Sequence, residues 1–487
     1  MTPRNLFQDP IWRAEELGGP IPDSPHAVSV ALPRWRDVVG YEERRPEVIN
    51  QLLAGYPRFV IHPLVKAVSQ HLDGNRPSLP FPSLRAAQLC ADFIQQSCGV
   101  AAELASWNGV HGVITSAAGE TFLKAFWQHT GLIVSSRQAE AVLGGRPDCR
   151  NGGAARESLR RTLAGFYDCA PDDVFLAPSG MAAHFAALQT VRSRAPDRPT
   201  AQLGFPYVDT LKLQQKLGDG GILLHDLQEI EADLSRLLRT QQLAACFCEI
   251  PGNPLLGSVN VRRITPILHG YRVPLIVDDV VATPLNIDLS SSADLIATSL
   301  TKYIVGTGDA MGGALICNPR SPLYREIKPL AKAQHEELLW GEDAAIFEAQ
   351  ARGFPERMRT HNRNGLLIAE RLRRHEQVEQ VWYPKWECAE AFEAVRRPDG
   401  GWGSLVTFLP KQAEDRAARV YDSMAVCKGP SLGTTFTLAC PFTLLAHYGE
   451  LDWAESCGVS RYLIRISVGL EDPDDLWQRL DAALNVA

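Results

Sequence analysis

A series of short apolar runs in the middle of the chain limits the folds that this sequence can adopt. From about residue 157 a predicted helix runs to Phe166, a strand follows at Val174-Phe175-Leu176-Ala177, and a second helix opens at Met181. Further apolar strands are predicted at 244–250, 274–277, 294–298 and 313–317. Unbroken apolar runs are typical of strands buried on both faces, as in a parallel sheet covered by helices. The sequence therefore predicts an α/β fold with a largely parallel sheet.

The pattern changes in the last third of the chain, which indicates a second domain. Charged stretches at 325–350 and 357–375 predict long helices. Apolar runs at 404–409 and 463–468 predict strands, and a closing helix starts at Asp474. This mixture is typical of an α+β domain. A ligand site is expected between the two domains, at the ends of the parallel strands.

The first part of the chain is less informative. Residues 1–130 contain short helical patterns, for example at 46–53 and 83–98, and no phosphate or metal motif that we recognise. We therefore divide the chain into an N-terminal extension or arm at 1–130, a large ligand-binding domain at 131–325 and a C-terminal α+β domain at 326–487.

The charge balance disfavours several classes of partner. Lys and Arg number 49 against 56 Asp and Glu, a net charge of −7, which gives no attraction to nucleic acid or an anionic membrane. No apolar stretch approaches the roughly 20 residues that span a bilayer, and the polar first residues do not form a signal peptide. A cytoplasmic protein with a small-molecule substrate is expected. The 11 cysteines include no CxxC pair, so neither disulfides nor a metal site is predicted.

One strand-to-helix turn could bind an anion. In Ala177-Pro178-Ser179-Gly180-Met181 a strand ends and a helix begins. Free backbone N–H groups and aligned dipoles at a helix start favour a phosphate group, and Gly180 permits close approach. Ser-Gly is also an ordinary helix cap, and on the motif alone that simpler interpretation is favoured.

Two further strand ends carry an acid pair and a lysine. Asp278 and Asp279 stand where a buried strand reaches its carboxyl end, and Lys302 follows the next predicted strand. Such an acid is usually a helix cap or a metal ligand, but it could also keep a pyridine nitrogen protonated. A lone lysine is usually a solvated surface residue. Because Lys302 follows Ser299 and Thr301, whose hydroxyls could bind phosphate oxygens, we favour a partly desolvated, nucleophilic amine.

Three runs in the central region carry a specific resemblance. They are Glu249-Ile250-Pro251-Gly252-Asn253-Pro254-Leu255-Leu256, Val277-Asp278-Asp279-Val280-Val281-Ala282-Thr283-Pro284 and Ser299-Leu300-Thr301-Lys302-Tyr303. In this order and spacing they resemble the cysteine and methionine metabolism family of pyridoxal-phosphate enzymes. Runs at 430–438 and 463–469 are similar to the family's substrate-carboxylate motifs.

The resemblance covers roughly residues 131–487. It implies an α/β protein of the pyridoxal-phosphate-dependent fold type I, which is aspartate aminotransferase-like. Such a protein has a large domain with a mostly parallel seven-stranded sheet and a smaller α+β C-terminal domain.

Three other segments point to one branch of this family. Gly55-Tyr56-Pro57-Arg58-Phe59, Ser135-Ser136-Arg137 and the run at 440–448 are similar to the long fungal-type cystathionine γ-synthases. The N-terminal extension is therefore expected to be native to that branch. Many family members have Tyr in place of Ser135 and Glu near the position of Phe436. An apolar Phe436 would help to exclude water near the substrate, and plain core packing is the open alternative.

The resemblance implies roles for the matching residues around pyridoxal phosphate. Lys302 would bind the cofactor covalently and act in catalysis, Asp278 would pair with its pyridinium nitrogen, and Tyr207 would stack on its ring. The residues implied for its phosphate group are Gly180, Met181, Ser299, Thr301 and, from a neighbouring subunit, Arg137.

Three residues are implied to bind the substrate. Arg465 and Ser431 would take the substrate carboxylate, the arginine through a bidentate fork. Asn253 would lie near the phenolic oxygen of the cofactor. Ser431 could also be a simple cap and Asn253 a turn former before Pro254.

The implied reaction is a γ-replacement that condenses an O-acyl-L-homoserine with L-cysteine or a related thiol, as in transsulfuration and methionine biosynthesis. A γ-lyase, or a γ-replacement enzyme with another nucleophile in a specialised pathway, is the alternative. A non-catalytic cofactor-binding protein is disfavoured by the intact set of Lys302, Asp278, Tyr207 and Arg465, and a dehydrogenase by the incomplete GxGxxG pattern. A homo-oligomer, a tetramer by analogy, is expected.

Overall fold

The computed structural model describes residues 4–146, 148 and 152–486 and contains one large sheet and three smaller ones. In chain order the strands are β1 Pro20–Ile21, β2 Ser29–Val30, β3 Ser78–Phe81, β4 Glu103–Trp107, β5 Val110–Ile114, β6 Val174–Ala177, β7 Thr200–Leu203, β8 Gly221–Leu224, β9 Ala245–Glu249, β10 Leu275–Asp278, β11 Leu295–Ser299, β12 Gly313–Cys317, β13 Val378–Trp382, β14 Leu405–Pro410, β15 Cys427–Lys428, β16 Leu438–Cys440 and β17 Ile464–Ser467. The α-helices are α1 Trp35–Glu42, α2 Pro46–Ile49, α3 Pro63–Leu72, α4 Leu84–Cys98, α5 Glu120–Thr130, α6 Ser136–Leu143, α7 Gly152–Tyr167, α8 Gly180–Arg194, α9 Val208–Leu217, α10 Ile230–Thr240, α11 Val261–Gly270, α12 Tyr324–Gln334, α13 Gly341–Ala351, α14 Phe354–Arg374, α15 Ala389–Glu393, α16 Ala413–Ser423, α17 Phe442–His447, α18 Leu451–Ser456 and α19 Pro473–Leu484.

The large sheet confirms the predicted α/β fold. Its seven strands run in the order β6-β12-β11-β10-β9-β7-β8. β12 is antiparallel to both of its neighbours, and the other pairs are parallel. The strands β7 and β8 were not predicted. β7 contains the polar Thr200 and Gln202 and is not an apolar run, whereas β8 is a short apolar run at the edge of the sheet, where every one of its four residues is partly exposed.

Helices cover both faces of this sheet. Along β10, Val277 packs into the core that includes α7, α10 and α11, whereas Ile276 packs into the core on the opposite face with α8 and α9. Successive side chains of a strand point to opposite faces, so both must be apolar when both faces are covered. This accounts for the unbroken apolar runs in the sequence.

The C-terminal part forms the predicted α+β unit. Its five-stranded sheet has the order β13-β14-β17-β16-β15. Phe408 of β14 and Ile466 of β17 share a core with Ile368 of α14, Val420 of α16 and Leu476 of α19. The loops of this sheet that face the large sheet supply part of the site described below.

The N-terminal extension packs against both larger units. Its sheet, in the order β3-β5-β4, shares a core with the large sheet, and Phe126 of α5 contacts Phe185 of α8 with ring centres 6.2 Å apart. Val30, Leu32 and Val38 instead join the core of the C-terminal sheet. The division of the chain at residue 130 stays a prediction.

One predicted helix is wrong in its extent. The stretch at 325–350 is divided into α12 and α13, and Gly341 begins the second helix. A Cβ atom on Gly341 would lie 2.8 Å from the Cα of Gly152, and its N–H donates to Oδ1 of Asp148 at 3.0 Å. This close approach to α7 is a tertiary contact that helical propensity does not contain.

None of the helices in the described part of the chain is long and apolar enough to cross a membrane. Within residues 4–146, 148 and 152–486 no group of three or more His, Cys, Asp or Glu side chains could hold a metal ion. The ten described cysteines are free thiols.

Candidate active site

A cavity opens at the carboxyl ends of three neighbouring strands of the large sheet. Glu249 ends β9, Asp278 ends β10 and Ser299 ends β11, and all three line the cavity. Arg465 of β17 lines it from the C-terminal sheet. Together with its solvent mouth the cavity encloses about 1260 Å³. It lies where the sequence analysis expected a ligand.

Lys302 lies in the turn after β11 and is buried. Its Nζ donates a hydrogen bond to Oγ of Ser431 at 3.1 Å. Burial lowers the pKa of this amine; Tyr56 opposes the shift, and the positive charges of Arg465 and Arg58 add to it. A lowered pKa leaves more of the amine in its neutral, nucleophilic form.

Asp278 presents its carboxylate to the cavity from the end of β10. Oδ2 lies 2.8 Å from Nε2 of His184, a buried residue of α8, and Oδ1 accepts the N–H of Val280 at 2.8 Å. The other ring nitrogen of His184, Nδ1, has no hydrogen-bond partner within the described part of the chain. The carboxylate is therefore fixed in orientation while it remains in contact with the cavity.

Asp279, the next residue, does not line this cavity. Its Oδ2 accepts a hydrogen bond from the hydroxyl of Tyr167 at 2.9 Å. Burial raises the pKa of Asp279 to about 7. Of the adjacent acids, the structure brings only Asp278 to the site.

The first turn of α8 forms one end of the cavity. Gly180 and Met181 line it, and Oγ of Ser179 caps the helix by accepting the N–H of Ala182 at 3.1 Å. A Cβ on Gly180 would lie 2.7 Å from the Cβ of Ser299, so a side chain there would block close approach. The first N–H groups of a helix have no partner inside the helix, which makes this end a suitable anion site.

Thr301 also lines the cavity, but its hydroxyl bonds to the main chain. It donates to the carbonyl of Gly312 at 3.2 Å and accepts the N–H of the same residue at 3.0 Å. In this conformation Thr301 braces the loop that carries Lys302. Its predicted role at a phosphate group stays a prediction.

Arg465 and Asn253 face the cavity together. Nη1 of Arg465 donates to Oδ1 of Asn253 at 3.2 Å, and Nη2 donates to the carbonyls of Pro430 and Ser431, both at 3.0 Å. The guanidinium is buried and, among the described residues, forms no ion pair with a carboxylate. It is therefore suited to an incoming carboxylate.

Tyr207 is held by a buried ion pair that the sequence analysis did not identify. Its hydroxyl accepts a hydrogen bond from Arg58, whose guanidinium also pairs with the carboxylate of Asp209. Burial opposes ionisation of Asp209, but Arg58 and His129 outweigh it and lower the pKa of this carboxyl. Arg58 thus links the N-terminal extension to the start of α9.

Glu249 is a second group that was not identified. Its carboxyl oxygens accept the N–H groups of Tyr207 at 2.5 Å and of Asn253 at 3.3 Å. Burial, followed by the nearby Asp278, raises the pKa of Glu249 to about 8. The sequence contained signals for these groups, since Glu249 opens one of the runs that carry the resemblance and Arg58 belongs to another.

Arg137 is not among the residues that line the cavity. Its guanidinium donates to the carbonyl of Asp309, to the carboxylate of Asp309 at 3.0 Å and to that of Asp343 at 3.1 Å. Ser135 donates to the same Asp343 at 2.6 Å. In one chain Arg137 therefore has acidic partners of its own, and its role in a neighbouring subunit stays a prediction.

Phe436 is placed differently from the expectation that it lies near the substrate. It is buried in a small apolar cluster with Leu6, Ile11, Ile21 and Leu438 and does not line the cavity. The N-terminal extension supplies most of its apolar partners. The core-packing alternative is the one that the structure bears out.

Comparison with known proteins identifies the family. The model described as Cys/Met metabolism PLP-dependent enzyme matches residues 144–485, and that described as fungal trans-sulfuration enzyme, N-terminal domain, matches residues 60–135. The chain belongs to the Cys/Met metabolism family of PLP-dependent enzymes. The predicted family, fold type and cofactor are confirmed.

Relatives and solved structures agree with this family. The chain is 32% identical to a cystathionine γ-synthase of Neurospora crassa, over 97% of this chain and 98% of the relative. It is 33% identical to L-2-amino-4-chloropent-4-enoate dechlorinase/desaturase of Streptantibioticus cattleyicolor, over 93% and 95%. The crystal structure of cystathionine γ-synthase from Xanthomonas oryzae in complex with cystathionine matches with a TM-score of 0.58 and 25% identity, over 68% of this chain and 85% of that one.

The residues present fit pyridoxal phosphate. The cavity combines a buried amine at Lys302, a carboxylate at Asp278 and the glycine-lined start of the 15-residue helix α8. These groups suit the aldehyde, the ring nitrogen and the phosphate group of the cofactor in turn. Tyr207 offers an aromatic face on the wall of the same cavity.

Proposed function

We propose that the protein is a transferase that joins a thiol to the γ-carbon of an O-acyl-L-homoserine, with L-cysteine or a related thiol as the nucleophile. One observation carries this proposal. Lys302, a buried amine, and Arg465, a buried guanidinium with no acidic partner in the described chain, line one cavity. The first suits proton transfer on an amino acid and the second suits its carboxylate.

The residues that line the cavity have separate roles around the cofactor. Pyridoxal phosphate, when bound, supplies an electron sink for electrons released at the substrate carbons. Asp278 would hold the proton of the ring nitrogen, and Tyr207 would stack on the ring. Gly180, Met181 and Ser299 would hold the phosphate group.

Arg465, with Asn253, fixes the substrate carboxylate and so aims the Cα–H bond at Lys302. Ser431 does not line the cavity and its Oγ accepts the hydrogen bond of Lys302, so its role at the carboxylate stays a prediction. Lys302 takes the proton from Cα. Loss of a second proton, from Cβ, then expels the γ-acyloxy group, and a thiolate forms the new bond at Cγ. Lys302 returns protons to the carbon chain, which its lowered pKa makes possible near neutral pH.

Apolar side chains form much of the wall on the side of the C-terminal domain. Leu432, Phe442, Leu445 and Ala446 line the cavity there. An apolar wall excludes water from the reacting carbon, which favours capture by a thiol over hydrolysis. The product assay distinguishes replacement from elimination.

The test is product analysis with a panel of O-acyl-L-homoserines, with and without L-cysteine, in one assay. We expect cystathionine to form faster with cysteine than 2-oxobutyrate forms without it. Dominant release of 2-oxobutyrate, or cleavage of added cystathionine, would replace this proposal with a γ-lyase.

A second candidate is a γ-replacement or elimination enzyme of a specialised amino-acid pathway, with another nucleophile or leaving group. The similarity to the dechlorinase/desaturase of Streptantibioticus cattleyicolor, at 33% identity, favours it. In the same assay, uptake of a different nucleophile in place of cysteine would support this candidate. Homotetrameric assembly, a cytoplasmic location and a place in methionine biosynthesis stay predictions.

A further inference from the structure

The N-terminal extension forms part of the wall of the active-site cavity. Val28, Tyr41 and the segment 56–59 line it. The segment is held by Arg58, whose buried guanidinium pairs with Asp209. A region in which the sequence showed no chemical motif therefore reaches the reactive lysine.

Tyr56 lies beside this lysine. Nζ of Lys302 is 4.6 Å from the centre of the Tyr56 ring, and Cζ of Arg58 is 5.5 Å from it. Burial alone would raise the pKa of the Tyr56 hydroxyl, but the charges of Lys302 and Arg58 outweigh it and lower the pKa. Two basic groups thus favour the phenolate, and the phenolate in turn favours a protonated Lys302.

We propose that Tyr56 is the proton partner of Lys302 during the reaction. In one direction the O–H bond of the phenol breaks and an N–H bond forms on the amine, and the phenolate that remains lies beside the positive charge of Arg58. In the other direction the ammonium group returns the proton to the phenolate and becomes a neutral base again. The pair can therefore return Lys302 to its neutral form between two proton transfers on substrate carbons, without exchange of a proton with solvent.

Other ionisable groups line the same cavity from several elements. They are Tyr41 and Glu42 of α1, Arg58 on the same segment as Tyr56, His184 of α8, Tyr207 at the start of α9, Glu249 of β9, Asp278 of β10, Cys440 of β16 and Arg465 of β17. Arg58 binds the hydroxyl of Tyr207, and burial raises the pKa of Cys440. Tyr56 has a direct contact with Lys302, with its ring centre 4.6 Å from Nζ, and its charge has a larger effect on the pKa of this amine than the charges of Arg465 and Arg58.

The test measures the titration of Lys302 itself. Full-length protein stripped of pyridoxal phosphate is acetylated briefly at a series of pH values, and the modified Lys302 peptide is quantified by mass spectrometry. Only the neutral amine reacts. In Tyr56→Phe the pH of half-maximal labelling should fall, because the phenolate that stabilises the ammonium group is lost.

Tyr41→Phe is the matched control, since Tyr41 lines the same cavity from the same extension. It should leave the labelling curve of Lys302 where it is. An unchanged or raised midpoint in Tyr56→Phe, or an equal shift in Tyr41→Phe, overturns the proposal. Circular dichroism of both variants checks that the fold is intact.

The enzyme loaded with cofactor gives a second readout. Tyr56→Phe should lower kcat about 100-fold, the lower end of what general acid–base groups contribute, and should move the pH profile of kcat, with KM little changed. A loss confined to KM would instead indicate a substrate contact and overturn the proposal. The labelling experiment needs no substrate, so its outcome stands apart from whether cystathionine is the product.

Discussion

Burial shifts the pKa values of several residues in and around this cavity. It lowers the pKa of the Lys302 amine and raises those of Asp279 and Glu249, to about 7 and about 8. In each case the charged form loses hydration that the protein replaces only in part. Asp278 lines the cavity, and its carboxylate accepts bonds from His184 and from the N–H of Val280. One acid of the adjacent pair thus faces the cavity and the other does not.

Replacement of Lys302 tests the site at its centre. The purified protein should be yellow, with a visible absorption band that borohydride removes, and Lys302→Ala should lack this band because no other described amine lines the cavity. Absorption spectra and mass spectrometry of the borohydride-reduced peptide are the measurements. Lys332→Ala, at an exposed lysine, is the control and should keep the band. A labelled peptide centred on another lysine would contradict the assignment.

The two aspartates offer a matched pair of substitutions. Asp278→Asn should retain cofactor but lose most of its turnover, roughly 100-fold or more, because a neutral amide no longer holds the ring-nitrogen proton. Asp279→Asn should matter much less, since burial already favours the neutral form of that carboxyl. Steady-state rates and cofactor absorbance, measured on both variants, give the comparison. Near-normal turnover in the first variant beside a dead second one would show that the wrong acid was chosen.

Sequence patterns predict the site residues that lie at the ends of strands. They do not predict the residues that reach the site only through tertiary contacts. Lys302 and Asp278 follow apolar runs, so their places at one edge of the sheet were predictable. Tyr56 lies 246 residues before Lys302 in the chain, and His184 lies on α8 beyond the turn that the sequence marked as an anion site. Only the packing of the N-terminal extension and of α8 brings these two side chains to the site.

Among the elements, the loop before α3 depends on a buried ion pair for its position. Arg58 donates to Asp209, to Tyr207 and, at 2.9 Å, to the carbonyl of Gln128. Arg58→Met should lower the free energy of unfolding by about 3–5 kcal/mol, because it leaves the Asp209 carboxylate buried and without its main partner. Urea unfolding followed by circular dichroism measures this change.

Two controls show whether burial is the cause. Arg76→Met removes the ion pairs of an exposed arginine with Glu103 and Asp73 and should change stability little. The double variant Arg58→Met/Asp209→Asn should recover part of the lost stability, since the uncompensated charge is gone. Equal losses in Arg58→Met and Arg76→Met would indicate that the pair adds nothing specific.

The boundaries of the strands and helices show which sequence patterns were sufficient to predict them. The strands β6 and β12 lie at the predicted residues, because short uninterrupted apolar runs are suited to a sheet that is covered on both faces. The helix predicted at 325–350 did not contain the break between α12 and α13, after which Gly341 packs closely against Gly152 of α7. Local propensity carries no information on such a partner.

In the molecule as a whole, the N-terminal extension contacts two parts that the chain order separates, the large sheet and the C-terminal sheet. Its sheet shares a core with the large sheet, Val30 and Val38 enter the core of the C-terminal sheet, and Tyr56 lines the cavity between them. The sequence predicted the branch to which the extension belongs but not this arrangement. Its apolar residues are too scattered to reveal two different partners.

The last property to test is whether neighbouring subunits share an active site. Arg137 is the residue whose substitution tests it. In one chain this residue pairs with Asp309 and Asp343 and does not line the cavity. If it completes the phosphate site of a neighbouring subunit, Lys302→Ala and Arg137→Ala should each be nearly inactive alone and active when mixed. A hybrid dimer then contains one site with both Lys302 and Arg137.

Random mixing of the two variants makes half of the dimers hybrid, and half of the sites in each hybrid are complete, so activity should recover to about a quarter of the unsubstituted enzyme. The measurement is turnover after the two variants are unfolded and refolded together, with each variant refolded alone as the control. If Arg137 instead acts within its own chain, every site in the hybrid lacks one of the two residues. No activity then returns, and the role of Arg137 is to hold Asp309 and Asp343 in place.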